Sequence, residues 1–208
     1  MTASYVAGDQ FDRGKTFYAG GTIDTNDYGG VFLEGQVRIF PNRDPSNKQT
    51  RRGGQSVVCV CVRNVSTGTF ALLPKRLTQW ETGYRGLRVN SYAGDSTASA
   101  DEIAGVVDEF LPTAGVVFGD LFWLVVEGPT LVKTSITAND ALTSEGSLLV
   151  ATSAATSQAT TCGRVMPTLL TGATATLAAF IYNRLGRAMS ANSSNGTDRD
   201  LLVDVKLV

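Results

Sequence analysis

Histidine is missing from all 208 residues of this chain. Its absence removes the side chain that most often acts as a general base at neutral pH and most often binds zinc. Asp, Glu, Lys and Cys still leave catalysis open, so the weight of an enzymatic reading falls without reaching zero. Charge is scarce too: Asp, Glu, Lys and Arg make up 18 % of the chain, against roughly 25 % in an average soluble domain. A surface thin in charge and rich in Thr, Ser, Ala and Gly suits a protein that lies against other protein. Cysteines number three, Cys59, Cys61 and Cys162. An odd count, with no signal-like start at Met1-Thr2-Ala3-Ser4-Tyr5, predicts free thiols in a reducing compartment. Long apolar runs are also lacking. The most apolar stretch, residues 169–181, carries several threonines and falls short of the roughly 20 residues that a bilayer-spanning helix needs.

What is present is a succession of short apolar segments bracketed by Gly, Asn, Asp and Pro, which predicts a mainly β protein. Residues 56–65 form a near-continuous β-branched run, the pattern of a strand buried on both faces. Within it Cys59 and Cys61 share a face, since the strand period is two. With no His and no second Cys pair, they read as small buried hydrophobes rather than half of a metal site. Further strands are expected at residues 31–40, 69–73, 86–92, 121–126, 131–134, 148–151, 185–189 and 201–208. Gly128-Pro129 is expected to end the strand at 121–126. The last strand alternates Val203, Val205 and Leu207 against Asp204 and Lys206, so one face is buried and one wet. Residues 171–183 mix alanines with threonines and are read as strand. One short helix is predicted from the capping-box spacing of Ser99 and Glu102. No fixed-period repeat is visible. Gly94-Asp95-Ser96-Thr97 marks the predicted boundary between an irregular N-terminal region (1–94) and a small β-barrel or sandwich (95–208).

Net charge is −1, but it is unevenly spread. Residues 1–92 hold 12 Lys and Arg against 7 Asp and Glu; residues 93–208 hold 6 against 12. Such asymmetry fits docking of one half on an acidic surface, or subunits that pack head to tail.

The C-terminal half, about residues 105–208, resembles the small β-rich head decoration (cement) proteins of tailed bacteriophages. The resemblance rests on Gly119-Asp120 before an apolar strand, Gly128-Pro129, Asp140, Gly186-Arg187-Ala188, and the valine-rich end at 203–208. The chain departs from that pattern in a long spacing from Gly146 to Gly186 and in its first hundred residues. The resemblance implies a β-barrel-like domain without catalysis or cofactor, homotrimeric or homodimeric. Its partner would be the major capsid protein, with neither nucleic acid nor membrane involved. Such a protein is made in the host cytoplasm and ends on the virion exterior, where it ties capsomers together by multivalent contacts. A tail- or fibre-associated virion protein built on the same kind of module is a further alternative.

Candidate contact residues follow from the residues themselves. Arg43, Lys48, Arg51 and Arg52, with Arg38 nearby, form the one basic cluster and read as a docking loop for an acidic capsid face. Trp80 reads as half exposed and Trp123 as core or subunit interface, since Trp concentrates at interface hot spots. Asp108-Glu109, with Asp101 and Glu102, reads as a solvated acidic face rather than a cation site. A rival enzymatic reading comes from Thr82-Gly83-Tyr84-Arg85-Gly86-Leu87-Arg88-Val89, which is similar to the Gly-Tyr-Arg-Gly segment of trimeric dUTP pyrophosphatases. In that reading Glu81 would activate water. The family's other motifs are missing here, which favours a tight turn with Tyr84 packed on its edge.

Overall fold

The computed structural model describes residues 13–16, 33–44, 49, 56–66, 72–91, 103–136, 145–151, 165–167, 184–191 and 196–207. Ten strands run through them: β1 (Val37–Pro41), β2 (Ser56–Asn64), β3 (Leu77–Trp80), β4 (Arg88–Ser91), β5 (Ile103–Val107), β6 (Leu121–Ile136), β7 (Leu148–Ala151), β8 (Val165–Pro167), β9 (Arg184–Ala188) and β10 (Gly196–Lys206). The protein is mainly β, as the strand-and-turn pattern predicts, and no helix occurs among the described residues. The capping box at 99–102 and the segment 171–183 lie outside them, and by Ile103 the chain is already strand.

Five strands close into a barrel: β2–β4 parallel, then β4–β3, β3–β5, β5–β6 and β6–β2, all antiparallel. An odd number of strands cannot alternate all the way round, so one parallel seam is required, and β2–β4 provides it. The remaining strands make a second ring of the same kind: β6–β8 parallel, then β8–β7, β7–β9, β9–β10 and β10–β6 antiparallel. The last strand of the first ring, β6, is therefore the first strand of the second. The first ring takes strands from both sides of residue 94.

The two rings agree residue by residue. From Asn64 the circuit passes to Val89 and Trp80, steps back to Thr78, crosses to Gly105, steps on to Val107, and crosses by Leu124 to Val60, four residues before its start. From Thr134 it passes to Val165 and Ala151, steps back to Leu149, crosses to Gly186, steps on to Ala188, and crosses by Val203 to Thr130, again four residues before its start. A displaced return of this kind is the stagger that tilted barrel strands need. Both rings carry a bulge at the same place, just past Thr78↔Gly105 and just past Leu149↔Gly186. The bulged residues, Ala104 and Leu185, are both buried. The turn entering the second strand is shared as well. Val107 bonds the backbone of Lys75 and Arg76 as Ala188 bonds that of Gly146 and Ser147. Lys75 and Gly146 both adopt the left-handed conformation, with φ of 67° and 86°.

Why these residues suffice is a matter of apolar alternation. Val62, Ala104, Val107, Phe122 and Leu124 belong to the cluster inside the first ring. Their counterparts Val132, Leu185, Ala188, Leu201 and Val203 are buried in the second. Residues of opposite parity on β2 and β6 (Cys59, Cys61, Leu121, Trp123, Val125) lie on the outer face of the first ring and join that same second cluster. The inside of one ring and the outside of the other thus form one continuous core. β10 alternates as expected, with Leu201, Val203 and Val205 buried and Lys206 exposed.

Gly128-Pro129 does not end a strand; β6 runs through it. Leu207 N–H donates to Val126 O, so by alternation Gly128 and Thr130 also face β10 while Pro129 faces the other edge. On that edge the β2 ladder has already stopped, at Val58↔Glu127, and the missing proline N–H costs no bond. Gly128 (φ 99°) bends the strand past the start of β2, where a Cβ would lie 2.8 Å from Ser56 O. The bend brings Lys133 N–H back to Lys75 O, at the end of the first ring.

The paired circuits predict paired sensitivity. A Cβ on Gly105 would sit 2.6 Å from Leu124 Cγ and Val125 O, and one on Gly186 would sit 2.0 Å from Asp204 O. Gly105→Ala and Gly186→Ala are each expected to destabilise by at least about 1–3 kcal/mol through overpacking, read from urea denaturation midpoints. Gly83 has open space around its Cβ position but a φ of 83°, so alanine there isolates the cost of a left-handed backbone, about 1–2 kcal/mol, from that of overpacking.

Candidate functional site

The first strand lies beside two of the candidate residues, Arg43 and Trp123. β1 pairs with β2 from Val37↔Val60 to Pro41↔Ser56. Phe40 turns inward, 5.2 Å edge-on from Trp123, and the Arg38 guanidinium lies 5.5 Å from the centroid of the same ring. Trp123 is therefore fully buried, with none of its surface reaching solvent. Trp80 is half-buried and packs against the interior of the first ring. Arg43 is exposed just beyond β1, where Asp44 N–H to Gln49 O draws the loop together. Lys48, Arg51 and Arg52 lie outside the described residues. On the other side of β1, Val37 and Ile39 are 61 % and 71 % exposed.

Among the described residues, three ion-pair groups tie distant segments together, and sequence reasoning found none of them. Arg63 and Arg88 stand opposite each other on the parallel seam, two like charges in a buried place. The buried Glu34 carboxylate lies between them: Arg63 Nε donates to its Oε1, while Arg88 Nε faces its Oε2 at 3.9 Å. The Arg88 guanidinium also lies 4.0 Å over the Tyr84 ring. Second, Asp108 is buried rather than part of a solvated acidic face. It accepts from Arg13 Nε at 2.6 Å, and Arg13 lies over the Phe110 ring at 5.1 Å. Burial alone would lower the Arg13 pKa, but the Asp108 charge and hydrogen bond outweigh it and the pKa rises. Asp101 and Glu102 lie outside the described residues. Third, Asp200 accepts from Lys75 at 2.5 Å and pairs with Lys133 at 2.7 Å, where the two rings meet.

The segment that resembles a nucleotide hydrolase forms the β3–β4 turn. Gly83 and Gly86 take φ of 83° and 84°. Tyr84 N–H donates to Glu81 O and Leu87 N–H to Tyr84 O. The Glu81 carboxylate accepts from the Asn90 side chain. Cys59 and Cys61 are both buried, and desolvation is the main reason their thiol pKa values rise, that of Cys61 to about 12. Such thiols stay protonated and act as packing atoms. Among the described residues, no group of three or more His, Cys, Asp or Glu side chains is placed to hold a metal ion.

Two predictions follow from the ion pairs. Glu34→Gln removes the buried charge that lies between the two arginines, and is expected to cost about 3–5 kcal/mol in denaturant unfolding. Asp200 behaves differently. Its partial burial would raise its pKa, but hydrogen bonds from Lys133 and Lys75 outweigh that and lower it from 3.8. A depressed folded pKa stabilises above the unfolded value and is lost as pH falls through the folded one. Asp200→Asn should therefore lower the melting temperature at pH 7, and the gap from wild type should close below about pH 3.8. A gap independent of pH would remove the ionised clamp. Compared with models of known protein families and with curated proteins, the chain matches none.

Proposed function

We propose that this chain is a structural virion protein that binds the outer surface of a tailed-phage capsid as a homo-oligomer and stabilises it by bridging capsomers. The observation that carries this reading is β6. One 16-residue strand serves both rings, so a pull from one end of the protein to the other loads the β2–β6 and β6–β10 ladders together. A ladder loaded along its strands yields when many bonds break at once, which suits a passive mechanical part. Several of the described residues behind the resemblance lie at the joints of this frame. Gly119-Asp120 enters β6, Gly128-Pro129 bends it, and Gly186 lets β9 approach β10. The reading calls for no cofactor and no reaction. Its partners are the major capsid protein and other copies of the chain, and Arg43, Lys48, Arg51 and Arg52 face the acidic capsid surface.

Cosedimentation with emptied, expanded phage heads tests this, with dUTP turnover assayed on the same sample. Saturable binding at a fixed copy number per capsomer, without pyrophosphate release, is the expected result. Arg51→Glu combined with Arg52→Glu should lower occupancy and leave the thermal transition unchanged. Turnover without binding would overturn the reading and move attention to Glu81 and Tyr84.

A further inference from the structure

We draw no further inference here: the strongest candidate, the surface patch on the outermost strand β1 where Val37 and Ile39 are exposed, carries nothing because nothing in the structure shows what covers it.

Discussion

Everything in this fold depends on β6 belonging to two rings at once. Drawn out straight, 16 residues of strand would reach about 50 Å, too far for the second ring to pack on the first. The bend at Gly128 resolves this, and it takes glycine because Ser56 O lies where a Cβ would be. Lys133 then reaches Lys75, and the outer face of the first ring shares a core with the interior of the second. Neither ring is complete without the strand that also starts or closes the other.

The buried charges are placed where this frame has openings. The parallel seam puts Arg63 beside Arg88, and the chain just before β1 supplies Glu34 to neutralise them. Asp108 directly follows β5, the fourth strand of the first ring, and draws in Arg13 from far upstream. Buried pairs of this kind add little net stability over apolar substitutes, but removing one member is costly. Their effect is to fix which segment sits where. A chain poor in charge uses several of its charged groups in this way.

The long or alternating strands were legible in the sequence. The run at 56–65 became β2, the alternation after Val203 became part of β10, and the apolar segment after Asp120 opened β6. β3 was not legible, because Leu77-Thr78-Gln79-Trp80 is short and half polar and is held as strand by β4 and β5 on either side. β8 has three residues and ends in proline. β1 begins later than the apolar run at 31–40 suggests, because Gly35 takes φ 81° in a turn. The repeat was invisible for a physical reason. A barrel interior asks for apolar volume, not identity, so Phe122 matches Leu201 and Ala104 matches Leu185. Only register reveals them, apart from Gly105 and Gly186, where backbone proximity dictates the residue. The ion pairs could not be read either, since their members stand 29 and 95 residues apart.

Strand sharing also shapes how the chain is made. The first ring closes only when β6 pairs with β2, so a ribosome must release more than half of the protein before any barrel exists. Until then the edge of β2 that β6 will cover is open to other nascent chains. The strand that ends this exposure is also the template on which the rest of the protein builds. In chain order, every strand of the first ring thus precedes the strands that complete the second.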